Sequence, residues 1–162
     1  MQENFDQIKP RLEDEAELAR LKGLQQWSKQ RFEKLKPVIS KHKQNGFIRN
    51  RHGDMHLANI TLIDDKVTVF DCIEFNDNFR WIDVIIEIAF TTMDLIDRQR
   101  PDLAAQLLDR YLQRTGDYAG LALLQFYQVY RALVRAQVAI IRHNQADLTE
   151  TEKQENLPQY KD

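Results

Sequence analysis

The chain has 162 residues, 43% hydrophobic and 30% charged, which is enough to bury the core of one ordinary domain. Its 23 Lys and Arg residues against 25 Asp and Glu residues leave a formal net charge of -2, which argues against nucleic acid as a main partner. The single cysteine, Cys72, excludes an internal disulfide and favours a cytoplasmic location. No apolar run approaches the roughly 20 residues that span a bilayer, so no membrane partner is expected.

Residues 1–45 are polar and helix-favouring, with apolar residues spaced mostly three to four apart. Asp14 and Glu17 resemble a capping box, so the main helix is predicted to start there. Pro37 is expected to kink or restart this helix, and the break near Gly46 is expected to end it.

Residues 46–76 change to short β-branched runs, which indicate strands. The runs Ile60 to Ile63 and Lys66 to Phe70 flank the tight polar pair at 64–65, and this pattern predicts a β-hairpin. A third short strand is predicted from Phe47 to Asn50.

The helical pattern returns over residues 77–145, ahead of a polar tail over residues 146–162 that is expected to fray. Apolar residues from Trp81 to Ile96 are so dense that their helix is expected to be the buried centre of the core. Two more helices are predicted, from Pro101 to Gly116 and from Leu121 to His143. We therefore expect one mainly helical domain over residues 1–162.

The segment HGDMHLAN, from His52 to Asn59, carries the most specific chemical pattern. In phosphoryl-transfer catalytic loops, an Asp accepts the proton of the substrate hydroxyl, and an Asn five residues later binds Mg2+. A second Asp beyond a hairpin binds the same metal. Asp54, Asn59 and Asp71 occupy these positions, and the predicted hairpin lets Asn59 and Asp71 offer oxygen ligands to one hard cation.

The segments HGDMHLANITL and FDCIEFNDNFRWIDV resemble the C-terminal lobe of the aminoglycoside phosphotransferase and choline kinase family, which is related to protein kinases. The resemblance is most specific from about Gly46 to Asp94. Within the family it is most similar to an uncharacterised bacterial branch that often carries a downstream P-loop ATPase domain. The resemblance implies an α+β, mainly helical, protein-kinase-like C-terminal lobe with a short β-hairpin at the catalytic loop.

The resemblance also implies roles for individual residues. Asp54 would be the catalytic base, and His52 would brace the catalytic loop. Asn59 and Asp71 would bind Mg2+, with ATP as the phosphoryl donor and a hydroxyl of a small molecule as the acceptor. Asp83 would tether the catalytic loop through its backbone amides.

Three nearby residues have less specific expectations. Glu74 stands three residues after Asp71, where many relatives place an acid two residues after the Asp, and it is a candidate metal or substrate ligand. His56 is a candidate substrate-side residue, or else packs under the hairpin. Cys72 is expected to be a small buried filler.

The sequence resembles only one of the two lobes that form a complete enzyme of this family. No GxGxxG or GxxxxGK[ST] motif occurs, and the 51 residues before His52 do not suit a nucleotide-binding lobe with a sheet. Either the gene product is shortened or the lobe has lost catalysis, so the isolated chain is expected to be weak or inactive. Its expected partners are a missing N-terminal lobe, a downstream P-loop ATPase domain, or a second copy in a homo-oligomer.

Two rival functions stay open at this point. A non-catalytic interaction or regulatory module would use an exposed apolar patch built from aromatic residues of the helices: Trp27, Tyr111, Phe126, Tyr127 and Tyr130. A metallophosphoesterase would use the D-x-H pair Asp54 and His56, but it needs further ligands. The other histidines, His42 and His143, are expected on solvated helix faces.

Overall fold

Six α-helices and two separate two-stranded sheets make up residues 1–143, the part of the chain that the computed structural model describes. The expected α+β, mainly helical class is confirmed. The chain divides into two compact units, one formed by Met1–Glu33 with the chain from Val129 onward and the other by Lys34–Gln128. The single-domain expectation stays a prediction, and the polar tail lies outside the described residues.

The first unit is built from helices near both ends of the chain. It holds α1 (Gln2–Ile8), the first part of α2 (Glu15–Gln44) and the second part of α6 (Leu121–His143). Its core joins Phe5 and Ile8 of α1 to Leu133 and Ile140 of α6. Gln137 of α6 also bonds two α1 side chains, those of Asn4 at 2.7 Å and Gln7 at 2.6 Å.

Helix α2 begins as the capping pattern predicts, because Asp14 Oδ1 accepts hydrogen bonds from the Ala16 and Glu17 amides at 2.6 and 3.4 Å. The expected restart at Pro37 is wrong, since α2 is continuous through that residue. Proline removes one amide donor but does not forbid a helix whose other hydrogen bonds and packing are retained.

The second unit contains both sheets. The predicted hairpin is confirmed as β2 (Ile60–Ile63) and β3 (Lys66–Val69), paired antiparallel with Ile60 opposite Val69. Its two turn residues, Asp64 and Asp65, have φ of 49° and 58°, as a two-residue hairpin turn with a right-handed twist requires. The predicted third strand is also present, as β1 (Ile48–Asn50).

The partner of β1 corrects the sequence-based boundaries. It pairs antiparallel with β4 (Trp81–Asp83), which follows the short helix α3 (Asp77–Arg80). The start of the next helix is therefore later than predicted, because Trp81 and Ile82 are strand residues and Trp81 is exposed. Strand pairing between segments some thirty residues apart overrides a local apolar pattern that suits a helix equally well.

The expected core helix is α4 (Val84–Asp97), followed by α5 (Pro101–Thr115) and α6, as predicted. Ile85, Ala89 and Phe90 of α4 are almost completely buried. Gly116 ends α5 with a φ of 69°, a conformation in which glycine has no steric cost. Within residues 1–143, no helix has both the length and the apolar character needed to cross a bilayer.

Candidate active site

The hairpin brings two predicted metal ligands to the same end of the second unit. Asn59 immediately precedes β2, and its carbonyl oxygen accepts a hydrogen bond of 3.0 Å from the amide of Phe70, just after β3. Asp71 is the next residue. The antiparallel pairing therefore places Asn59 opposite Phe70, the residue before Asp71, and the prediction that Asn59 and Asp71 bind one metal ion stays a prediction.

Asn59 is tied directly to Asp54, the predicted base. Its Nδ2 donates to the Asp54 carbonyl oxygen at 3.0 Å and to the Asp54 carboxylate Oδ2 at 3.1 Å, while its side chain is buried. With its nitrogen turned to Asp54, Asn59 presents its amide oxygen as the acceptor end. This orientation is the one that a hard cation needs.

His52 connects the catalytic loop to the segment that carries Asp71. Its Nε2 donates to the carbonyl oxygen of Phe70 at 2.7 Å, and its Nδ1 accepts from the Asp54 amide at 3.3 Å. The amide of Ile73 also donates to the His52 carbonyl oxygen at 2.9 Å. These contacts link the loop to the segment after β3, and the bracing role that the resemblance implies for His52 stays a prediction.

His56 lies beside Asp54 rather than free in solvent. Its Nδ1 accepts from the Ala58 amide at 3.2 Å, so its Nε2 carries the proton of the neutral ring and lies 3.5 Å from Asp54 Oδ2. The ring packs against Phe90 with 5.3 Å between centroids. His56 therefore packs against Phe90 of α4 and faces the predicted base, and its expected substrate-side role stays a prediction.

Asp71 is exposed and has a φ of 59°, a left-handed conformation that Asp tolerates better than most residues. Together Asp71 and Asn59 offer one carboxylate and one amide oxygen. Among the described residues, no group of three or more His, Cys, Asp or Glu side chains could hold a metal ion by itself. The donor set fits Mg2+, which is commonly bound through one or two carboxylates together with water and substrate phosphates.

Gly53 leaves the loop no room for a side chain. Its φ is 85°, and an added Cβ would lie 2.6 Å from the carbonyl oxygen of Phe79. Its amide donates to Glu87 Oε1 at 2.8 Å. Only glycine satisfies the backbone angle and this close approach together.

Helix α4 holds the catalytic loop at three successive points. Besides the bond from Gly53 to Glu87, the hydroxyl of Thr91 donates to the carbonyl oxygen of Met55 at 2.6 Å, and the amide of Leu57 donates to Asp94 Oδ2 at 2.8 Å. Glu87, Thr91 and Asp94 follow a spacing of four and three residues, so they lie on one helix face. All three are buried.

Sequence reasoning missed these α4 side chains. A signal was present, because two acids and a threonine at helical spacing interrupt an otherwise apolar helix, and buried carboxylates require bonding partners. We refer to Glu87, Thr91 and Asp94 as the loop-binding stripe.

Asp83 does not have the expected bonds to the catalytic-loop amides. Its Oδ1 instead accepts from the Ile85 amide at 3.0 Å, which caps α4, and its Oδ2 lies 2.7 Å from Nδ1 of His42. The loop amides of Gly53 and Leu57 are bound one and three turns further along α4. The helix is the predicted support, but the side chains that contact the loop come later on it.

Two expectations about the segment after Asp71 receive different outcomes. Cys72 is exposed, so the expectation of a buried filler is wrong: the chain leaves β3 over the surface. Its Sγ donates to Glu74 Oε1 at 3.7 Å. Glu74 is also exposed, and its role as a metal or substrate ligand stays a prediction.

The expected solvated position of His42 is wrong, because this side chain is only 2% exposed. Both of its ring nitrogens bond carboxylates, so they are not turned toward Asp54 and His56 as metal ligands. The side chain of His143 lies outside the described residues. The metallophosphoesterase interpretation thus gains no support from the described part of the chain.

The aromatic patch expected for an interaction module is also placed differently. Phe126 and Tyr127 are buried, and none of the five helical aromatic residues is among the exposed large apolar side chains. In the second unit those are concentrated on the hairpin and the segment after it: Leu62, Ile63, Val67, Val69, Phe70, Phe75, Phe79 and Trp81. Helical aromatics pack inward, whereas the apolar face of the hairpin has no covering element among the described residues.

A family model described as the phosphotransferase enzyme family matches residues 2–124 of the chain. The chain belongs to this family. The resemblance to aminoglycoside phosphotransferases and to kinase-like lobes is thereby confirmed. The match includes the predicted catalytic loop, the hairpin and the loop-binding stripe of α4, so the candidate site of this phosphotransferase-family chain lies within the matched region.

Three curated relatives are uncharacterized proteins of Mycobacterium bovis and of two strains of Mycobacterium tuberculosis. Each is 40% identical to the chain over 102 residues, a stretch that covers 63% of this chain and 20% of the relative. The chain thus spans about a fifth of the length of the curated relatives that it matches. No solved structure matches the chain significantly.

Proposed function

We propose that this chain is the catalytic lobe of an ATP- and Mg2+-dependent phosphotransferase that transfers the γ-phosphoryl group to a hydroxyl of a small molecule. The observation that carries the proposal is the hydrogen bond of 3.1 Å from Asn59 Nδ2 to Asp54 Oδ2, at the end of the hairpin where Asp71 follows β3. Family membership supports the reaction class. The acceptor is assigned only by its reacting group, because a shared fold does not identify a substrate.

Each of the three residues has a role that follows from its position. Asp54 accepts the proton of the acceptor hydroxyl, and its carboxylate is oriented by Asn59 Nδ2 and faced by His56. Asn59 and Asp71 would hold Mg2+ through their side-chain oxygens. An ion held there would supply positive charge that offsets the negative charge developing on the transferred phosphoryl group. His52 and the loop-binding stripe keep the loop in the geometry that an in-line transfer requires.

A complete enzyme in this proposal includes a nucleotide-binding lobe, supplied by another segment or chain. The curated relatives extend far beyond the matched stretch, which leaves ample chain for such a lobe or for a P-loop ATPase domain. Without the lobe, phosphate positioning for transfer is poor, so the isolated chain is a weak or inactive kinase, but its own Asn59 and Asp71 would still bind ATP through Mg2+. A cytoplasmic location likewise remains a prediction.

The direct test is calorimetric titration of the chain with ATP in the presence and absence of Mg2+. The informative variant is Asp71→Asn, because Asn tolerates the left-handed φ of 59° but removes the charged ligand. Asp65→Asn is the matched control, since Asp65 is also a left-handed Asp but lies in the hairpin turn. We expect Mg2+-dependent binding that weakens about tenfold or more in Asp71→Asn and is unchanged in Asp65→Asn.

A second candidate is a non-catalytic interaction or regulatory module. It is favoured by the exposed apolar side chains of the hairpin, where Leu62 is 67% and Val67 72% exposed. The same titration separates the two functions. Absence of Mg2+-dependent ATP binding by the unmodified chain would contradict a working nucleotide site in this lobe and favour the module.

A further inference from the structure

A buried cluster of ionisable side chains lies outside the catalytic residues of the second unit. His42, near the end of α2, lies between two carboxylates, with 2.7 Å from Nδ1 to Asp83 Oδ2 and 2.7 Å from Nε2 to Asp117 Oδ1. All three side chains are nearly inaccessible to solvent. The imidazole is therefore shielded from water and bonded on both sides.

The hydrogen-bond inventory indicates the protonation state of this cluster. Asp117 already accepts bonds from the Gly120 amide and the Tyr111 hydroxyl, and Asp83 accepts from the Ile85 amide. A neutral ring has one N–H, whereas two carboxylates at hydrogen-bond distance need two donors. The imidazolium form satisfies both carboxylates at once. Burial raises the pKa of Asp83, against the lowering effect of its hydrogen bonds to His42 and the Ile85 amide, so a neutral ring beside a protonated Asp83 is the competing arrangement.

The surroundings of His42 favour the charge of the imidazolium form. It lies in the last turn of α2, where the helix dipole stabilises cations, and Asp83 caps the N-terminus of α4, where the dipole stabilises anions. The ring also stacks on Phe47, with 4.1 Å between centroids and 5° between planes. Although burial acts to lower it, hydrogen bonds to Asp117 and Asp83 raise the pKa of His42 above its usual value.

The cluster lies at the base of the sheet from which the catalytic loop emerges. After His42 the chain enters β1, whose next residues are the start of the catalytic loop. The partner strand β4 ends at Asp83, and α4, the helix that carries the loop-binding stripe, begins at the next residue. The Phe47 amide donates to the His42 carbonyl oxygen at 3.2 Å, and the Val84 amide donates to the Phe47 carbonyl oxygen at 3.1 Å.

We propose that His42 is a positioning residue that acts as a buried imidazolium at neutral pH: by binding Asp83 and Asp117 together, it fixes β1 and α4 relative to each other and so sets the catalytic loop. This role rests on the proposed function, because the loop it positions is the predicted phosphoryl-transfer loop. Within the described part of the chain, Tyr111 of α5 and Tyr127 of α6 are further titratable side chains that face the cluster. Burial raises the pKa of both, and both therefore stay neutral while His42 titrates.

The first test measures the ring directly in the unmodified chain. A 15N-edited NMR spectrum of the histidine rings, assigned by comparison with His42→Gln or Asp117→Asn, should show both His42 nitrogens protonated at neutral pH. A single ring N–H at neutral pH would overturn the proposal. This measurement requires no variant to retain activity.

The second test asks whether the charge holds the loop. Amide hydrogen exchange measures how often the hydrogen bonds from the Gly53 and Leu57 amides to the loop-binding stripe open. The exchange rates of α5 amides are the reference for global opening. We expect exchange of these two amides to become about tenfold faster in His42→Gln, relative to the reference. Equal acceleration of all amides, or no change at Gly53 and Leu57, would contradict a positioning role.

The pH dependence of loop protection separates the effect of the His42 charge from that of the shape of its side chain. Because the folded pKa of His42 is raised, loop protection is present below that pKa and is lost as pH rises through it. Asp117→Asn removes one anion but keeps the Asp83 bond, so the pH at which loop protection is lost should be lower in this variant. In His42→Gln, which has no imidazole to titrate, this pH-dependent loss of protection should be absent. Tyr111→Phe is the matched control, because it removes a bond to Asp117 but leaves both His42 bonds, and it should retain loop protection.

These measurements do not depend on phosphoryl transfer. A chain that fails to bind ATP while His42 remains doubly protonated and holds the loop would contradict the proposed function alone. A chain that binds ATP while the His42 ring has one N–H would contradict the positioning role alone.

Discussion

Gly53 is the residue at which the catalytic loop is most tightly constrained. Its left-handed φ and the 2.6 Å from an added Cβ to the Phe79 carbonyl oxygen allow no side chain. We expect Gly53→Ala to lower the free energy of unfolding by about 3 kcal/mol, which combines the left-handed strain with a backbone clash. Urea unfolding followed by circular dichroism measures this loss.

Gly46 provides a matched control for that substitution. Its φ of 79° is also left-handed, but an added Cβ would meet nothing within 4 Å. Gly46→Ala should therefore cost only the backbone strain, about 1 kcal/mol. Equal losses at the two positions would show that the close approach to Phe79 contributes nothing.

At the scale of elements, α4 organises the site through its loop-binding stripe. Glu87 and Asp94 accept hydrogen bonds from loop amides, so truncating either acid leaves a buried donor without that acceptor. We expect Glu87→Ala and Asp94→Ala each to lower the free energy of unfolding by about 2 kcal/mol. Amide exchange should locate the effect at Gly53 for the first variant and at Leu57 for the second.

Isosteric amide variants of the same two acids test whether the lost hydrogen bond or the lost charge causes the destabilisation. Glu87→Gln and Asp94→Asn keep an acceptor oxygen and the side-chain volume, so each should lose about 1 kcal/mol or less. A loss as large as that of the alanine variants would assign the stabilisation to charge, to which Arg98 contributes at 3.6 Å from Asp94 Oδ1.

At the scale of the whole molecule, an apolar face of the β2–β3 hairpin is exposed to solvent in the isolated chain. Leu62 and Val67 are cross-strand partners on this face, and both are mostly exposed. The double variant Leu62→Thr, Val67→Thr places a β-branched residue, which favours a strand, at both positions and removes much of the apolar surface. We expect its free energy of unfolding to change by about 0.5 kcal/mol or less, with less self-association in sedimentation velocity and less binding of an apolar dye.

A buried leucine is the control for the hairpin variant. Leu123 is fully buried, so Leu123→Thr should cost about 3 kcal/mol by creating a cavity and burying a hydroxyl. If the hairpin variant were as damaging as Leu123→Thr, the hairpin face would be part of a core rather than a free surface.

The sequence by itself determined the features that depend on near neighbours. Periodicity located α4, α5 and α6, and the polar pair at 64–65 located the hairpin turn. The spacing of Asn59 and Asp71 was sufficient to predict that they flank the two ends of one hairpin, because a hairpin links residues close in the chain.

Only the tertiary structure decided the features that depend on distant partners. The pairing of β1 with β4 moved the start of α4, and the burial of His42, Glu87 and Asp94 reversed the usual expectation that charged side chains face solvent. A local pattern records how polar a residue is but not which group it bonds. Whether a buried charge is satisfied depends on groups that folding brings from elsewhere in the chain, as Asp83 and Asp117 do for His42.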